Sequence, residues 1–120
     1  LMPSLVRAEM WIRDSLGMAL YGMKSTREVT LDMMINHAKS VKRGIKKSIL
    51  VVDMPYQTYK NKKEAYKNAK KIIQSTRCDA VKLEGGKKII NIIRYLIKKN
   101  IPVIHFSYNL TNFIILVYTL

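Results

Sequence analysis

Cysteine is nearly absent from this chain: Cys78 is the only one in 120 residues. An intrachain disulfide is therefore excluded, as is any zinc site built on paired thiolates, and a reducing, cytoplasmic setting is the expectation. No charged start followed by an apolar run and a small-residue cleavage site marks a secretory leader. Long hydrophobic runs are also missing, since the most apolar stretch, residues 112–120, falls short of the roughly 20 residues that a bilayer-crossing helix needs. Acidic residues are scarce. Eight Asp and Glu stand against 22 Lys and Arg, for a formal net charge of +14, and such an excess brings a nucleic acid or an anionic membrane into consideration as partner. What remains is a globular composition, 48% apolar, neither disordered nor collagen-like.

Three segments carry helical periodicity. Thr30 is a good N-cap with Asp32 in the first turn, and Leu31, Met34, Ile35, Ala38 and Val41 follow in steps of three and four up to Gly44. A second helix starts at Asn61, with Glu64 placed to complete a capping box and Ala65, Ala69, Ile72 and Ile73 as its buried stripe. A third follows Gly86, with Ile89, Ile93, Leu96 and Ile97 on one face, and Asn100 and Pro102 stop it. Between them lie short Val- and Ile-rich runs at 48–53, 80–84 and 101–104, which read as buried strands. Alternating helices and strands imply an α/β fold with a parallel sheet, because the helix supplies the crossover that a parallel neighbour requires.

Most of the lysines fall off the apolar stripes. A helical layer over a sheet presents them to water around the molecule, whereas a nucleic-acid site needs them gathered on one surface, and no exposed aromatics interleave with them as stacking platforms. The alternatives remain a small basic α/β module binding RNA or another polyanion, and a membrane-surface contact through residues 112–120.

The informative residues are acids at strand ends. Asp53 closes one aliphatic run before Met54 and Pro55, and Glu84 closes the next before Gly85 and Gly86. Ligands bind at that C-terminal edge in parallel α/β folds. Alternation along a strand commits Lys82 and Glu84 to one face. The plain account is that these acids start turns and that Lys82 pairs with Glu84. The sharper one is a shared cation: two strands ending alike, without paired cysteines or histidines, suit a hard ion such as Mg²⁺.

Four motifs then carry a resemblance. D-S-L-G-M at 14–18, S-T-x-x-V-T-L-D-x-M at 25–34, V-V-D-M-P-Y at 51–56 and V-K-L-E-G-G at 81–86 are similar, in order and approximate spacing, to signatures of the ketopantoate hydroxymethyltransferases. The resemblance implies a fragment of a (β/α)₈ TIM barrel, since 120 residues are well short of the roughly 250 of a complete one. It implies Mg²⁺ held by Asp14, Asp53 and Glu84, and a 2-oxo acid, 3-methyl-2-oxobutanoate, contacted by Asp14, Ser15, Asp53 and Lys82. The co-substrate it implies is 5,10-methylenetetrahydrofolate. The metal would act as a Lewis acid toward the chelated oxo acid, and the general base would be a glutamate beyond this chain's last residue, so no catalytic residue is assigned here and the fragment is expected to be inactive. No nucleic acid or membrane is implied, and full-length members form homo-oligomers.

Three regions are expected on this basis. Residues 1–13 are a non-native leader, 14–104 a partial barrel domain, and 105–120 a divergent, frameshifted tail. His105 stands near a family histidine but lacks the glycine that should precede it, so it is read as an ordinary packed or exposed residue. His37 is read as a surface residue and Cys78 as a core or loop residue.

Overall fold

A computed structural model describes residues 28–45, 49–108 and 113–118 of the chain. Asp14 and Ser15 lie outside the described residues, as does all of the expected leader. The elements run α1 (Leu31–Gly44), β1 (Val51–Asp53), α2 (Lys62–Thr76), β2 (Ala80–Glu84), a 3₁₀ turn (Lys87–Ile89), α3 (Ile90–Lys98), β3 (Val103–Tyr108) and β4 (Phe113–Tyr118).

Local chemistry explains where the helices begin and end. The Thr30 hydroxyl accepts from the Met33 N–H at 3.2 Å, while the Thr30 N–H points back at the Met33 sulfur at 3.4 Å. This is a capping box with a thioether in the place usually taken by Glu or Gln. Lys42 and Arg43 sit in the last turn of α1, where the helix dipole favours positive charge. At α2 the Asn61 side chain accepts from the Glu64 N–H at 2.9 Å, and the reciprocal bond expected from Glu64 is not formed. At the end of α3 the Ile101 N–H reaches the Leu96 carbonyl at 3.0 Å and the Asn100 N–H the Ile97 carbonyl at 2.9 Å. These two bonds, with Asn100 at φ 64°, make a Schellman stop, so the predicted breaker acts through a left-handed cap.

The four strands form one sheet in the order β1-β2-β3-β4. Strands β1, β2 and β3 are parallel, with Val52 opposite Val81 and Val81 opposite Val103. Strand β4 pairs antiparallel with β3. Two boundaries differ from the sequence reading: β1 begins at Val51 rather than at 48, and β3 runs from Val103 to Tyr108 rather than over 101–104. The last strand falls in the segment read as a divergent tail.

Alternation along the strands divides the side chains between two faces. Val52, Val81, Leu83 and Val103 join Met34, Ile35 and Ala38 of α1, Ala65, Ala69 and Ile72 of α2, and Ile93 and Leu96 of α3 in the main core. The three helices of the described residues therefore cover the same face of the sheet. The small Ala65 and Ala69, fully buried, let α2 lie close to the strands. Ile92, missing from the predicted stripe of α3, is buried there too. Val51, Ala80 and Ile104 form a separate apolar cluster, on the face turned away from the helices.

The basic residues are where their periodicity puts them. Lys62, Lys63, Lys67, Lys70 and Lys71 of α2 are all exposed, as are Arg94 and Lys98 of α3. Because the helices share one face, these charges spread over the outer side of a single helical layer rather than around the whole of the described piece. Among the described residues, no helix is long and apolar enough to cross a membrane.

Candidate functional site

Asp53 is the last residue of β1 and stands directly opposite Lys82 of β2. It is two residues on from Val51, as Lys82 is from Ala80 and Glu84 from Lys82, so all three share the face turned away from the helices. Register and parity together bring one lysine between two carboxylates. Lys82 Nζ lies 2.7 Å from Asp53 Oδ1 and 3.8 Å from Glu84 Oε1. The lysine side chain is 0% exposed, the Asp53 side chain 1% and the Glu84 side chain 24%, so Asp53 and Lys82 are sealed in and Glu84 forms the solvent side of the cluster.

Placing charges at such depth is costly unless each has a partner. Among the described residues one ammonium faces two carboxylates here, an arrangement that is the electrostatic complement of a cation. The donors are carboxylate oxygens, the set that hard divalent ions prefer over softer metals. A carboxylate carries about four lone-pair sites, so contact with Lys82 and a place on an ion are compatible at Asp53. The residues present thus fit a magnesium-type ion. Among the described residues there is no group of three His, Cys, Asp or Glu that could hold a metal, and Asp14, the third expected ligand, lies outside those residues.

The loops after β1 and β2 frame the cluster. The Met54 N–H donates to the Lys82 carbonyl at 2.9 Å and extends the ladder one residue past Asp53. Pro55 follows, with no N–H to continue it. The chain then turns, and Tyr59 comes back so that its hydroxyl donates to the Glu84 carbonyl at 2.9 Å and accepts from the Glu84 N–H at 3.3 Å. On the other side of the rim Gly85 takes φ 153°, a conformation L residues rarely adopt. An open cavity of about 390 Å³ adjoins Glu84, lined also by Tyr56, Gln57, Tyr59, Lys60 and Lys88.

His105 is packed: it is 3% exposed, and its Nε2 lies 2.8 Å from the Gly85 carbonyl. A carbonyl only accepts, so Nε2 carries the proton. Being two residues on from Val103, it occupies the helix-side face, opposite to the carboxylate cluster. Cys78 is buried and His37 is half-buried.

The sequence pointed to Asp53, Lys82 and Glu84, and the structure brings these three together. It did not reveal that the closest partner of Lys82 is Asp53 rather than Glu84, because that contact depends on the register between two strands. Nor did it single out Tyr59, whose position six residues beyond a strand-end aspartate carries no chemical signature.

A sequence model of the family described as ketopantoate hydroxymethyltransferase matches residues 7–106. Among curated proteins, the 3-methyl-2-oxobutanoate hydroxymethyltransferase of Pelagibacter ubique is 65% identical over 92 residues, covering 77% of this chain and 36% of that protein. The protein of the same name from Rhizobium etli is 56% identical over 93 residues, covering 77% of this chain and 34% of its own. That of Brucella canis is 50% identical over 93 residues, with the same two coverages of 77% and 34%. The chain spans about a third of the length of these relatives.

Proposed function

Because the chain belongs to the ketopantoate hydroxymethyltransferase family, we propose that it forms the metal- and oxo-acid-binding rim of an enzyme of pantothenate biosynthesis. That enzyme joins the methylene carbon of 5,10-methylenetetrahydrofolate, with the elements of water, to 3-methyl-2-oxobutanoate as a hydroxymethyl group, yielding ketopantoate and releasing tetrahydrofolate. The observation that carries the reading is the convergence of Asp53 and Glu84 on Lys82 at the ends of adjacent parallel strands.

In this reading Asp53 and Glu84, with Asp14, hold Mg²⁺, while Asp14, Ser15, Asp53 and Lys82 face the substrate. The ion would supply Lewis-acid polarisation to the bound 2-oxo acid. The chain's own residues have separate tasks. Lys82 keeps a buried and a partly exposed carboxylate together and offsets the negative charge of an incoming carboxylate substrate. Asp53 is held rigid by its burial and its 2.7 Å contact with Lys82, which fixes the direction in which its carboxylate presents itself. Glu84, at the solvent side, is the carboxylate an arriving ligand meets first. No residue of this chain is assigned the role of general base in this reading.

The exposed lysines serve as the outer surface of the barrel in this account, with no role for nucleic acid or membrane. A homo-oligomeric assembly and a cytoplasmic location are part of the same proposal, as is the reading of residues 14–104 as a partial barrel domain. A chimera tests the function: residues of this chain replace the matching segment of the Pelagibacter ubique relative, and ketopantoate formation is measured. The expected result is magnesium-dependent transfer that Asp53→Asn and Glu84→Gln each reduce at least about a hundredfold. A folded chimera whose transfer is untouched by either substitution would remove the reading.

A further inference from the structure

We propose that Tyr59 is a positioning residue for Glu84, standing in for the continuation of β1 and so fixing the one carboxylate of the cluster that is not sealed in the interior. The inference rests on the reading of Asp53 and Glu84 as ligands of a shared divalent ion.

The argument begins with the direction of the peptide groups in β2. The Lys82 carbonyl accepts from the Met54 N–H on the β1 side, whereas the Val81 N–H donates to the Pro102 carbonyl on the β3 side. Peptide groups alternate along a strand, so Glu84, two residues beyond Lys82, also turns its N–H and C=O toward β1. Strand β1 cannot meet them, because it ends at Asp53 and Pro55 turns the chain away. The Tyr59 hydroxyl fills that place with a single atom that both donates to the Glu84 carbonyl at 2.9 Å and accepts from the Glu84 N–H at 3.3 Å.

The hydroxyl is itself held from behind. The Asn68 side chain of α2 donates to the Thr58 carbonyl at 2.7 Å. The Thr58 hydroxyl and N–H both reach the Pro55 carbonyl, at 2.6 Å and 3.1 Å. The Tyr59 ring packs against the main core. A rigid loop tied to α2 thus sets the position of the Glu84 backbone, and through it the reach of the carboxylate toward Lys82 and Asp53. Groups that orient a metal ligand without touching the metal affect affinity by about 10- to 100-fold, and a backbone clamp at a strand end belongs at the lower end of that range.

The test uses Mn²⁺ as probe, titrated into the 120-residue chain and followed by electron paramagnetic resonance, for the wild type, Tyr59→Phe, Asp53→Asn and Tyr66→Phe. Tyr66 is a control hydroxyl on α2 whose ring packs edge-on to Tyr95. The expected result is binding by the wild type that is weakened well beyond tenfold in Asp53→Asn, about tenfold in Tyr59→Phe, and unchanged in Tyr66→Phe. Equal affinity of Tyr59→Phe and wild type would overturn the role of Tyr59 and leave the ion site standing. Absence of binding by the wild type, or binding unaffected by Asp53→Asn, would overturn both. Amide exchange in metal-free Tyr59→Phe separates positioning from general loosening. Faster exchange at Glu84 with Val81 still protected supports the clamp, and a uniform rise along β2 contradicts it.

Discussion

Replacing Lys82 by methionine keeps most of the side chain's length and removes its charge from a site with almost no access to water. The Asp53 carboxylate, whose residue is 1% exposed, then loses the ammonium that lies 2.7 Å away. Breaking a buried ion pair from one side costs about 3–5 kcal/mol, because the remaining charge stays desolvated. Against a total stability of about 5–15 kcal/mol for a domain, that is a large loss, and urea denaturation followed by circular dichroism reads it directly. A second substitution decides whether desolvation is the cause. Asp53→Leu in the Lys82→Met background removes the stranded charge and should recover most of the loss, since apolar replacement of a whole buried pair is often neutral. Glu84→Gln in the same background should recover little, because that side chain is 24% exposed and 3.8 Å from the ammonium, where solvent screens the interaction. A saturating divalent ion should stabilise Lys82→Met, by about 2.7 kcal/mol at a hundred times its dissociation constant. The reasoning is refuted if Lys82→Met unfolds within about 0.5 kcal/mol of the wild type, or if Asp53→Leu deepens the loss rather than reversing it.

Four further substitutions probe the fold beyond the cluster. Gly85→Ala must place a Cβ 3.1 Å from two atoms of the Ile89 side chain at φ 153°, whereas a Cβ on Gly86 meets nothing within 4 Å, so thermal melting should fall by the equivalent of about 1–3 kcal/mol for the first and hardly move for the second. Asp79 ties the entry of β1 to β2, its carboxylate accepting from the Leu50 N–H at 2.7 Å and its own N–H donating to the Leu50 carbonyl at 2.8 Å. Asp79→Ala should cost about 1–2 kcal/mol in urea denaturation. Lys71→Ala breaks a 3.1 Å bridge to Asp32 whose side chains are 52% and 78% exposed, and denaturation should register no more than about 0.5 kcal/mol.

The legible parts of the fold were those that local chemistry decides. Thr30 and Asn61 announce helix starts because their side-chain oxygens satisfy N–H groups that the helix leaves open, and Asn100 announces a stop because it tolerates the left-handed cap. The aliphatic runs ending in Asp53 and Glu84 announce strands, and their parity announces that Lys82 and Glu84 share a face. Pairing between strands was not legible, since register is a relation between distant segments. The 2.7 Å contact of Asp53 with Lys82 and the reach of Tyr59 to Glu84, 25 residues away, therefore had no signal in the sequence. The antiparallel strand Phe113–Tyr118 escaped for another reason: a short apolar run without alternation fits a strand or a packed tail equally well. Exposure of the lysines of α2 and α3 followed from helical periodicity, while their gathering on one side of the sheet depended on the described helices choosing the same face.

Whether Asp53 and Glu84 serve one ion is decided most directly by Mn²⁺ affinities of the wild type, Asp53→Asn, Glu84→Gln and the double variant. A shared ion predicts that each single change weakens the same one-to-one binding event and that the double variant loses less than the two effects combined. If one substitution abolishes binding while the other leaves the affinity intact, the two carboxylates do not hold a common ion and the account fails.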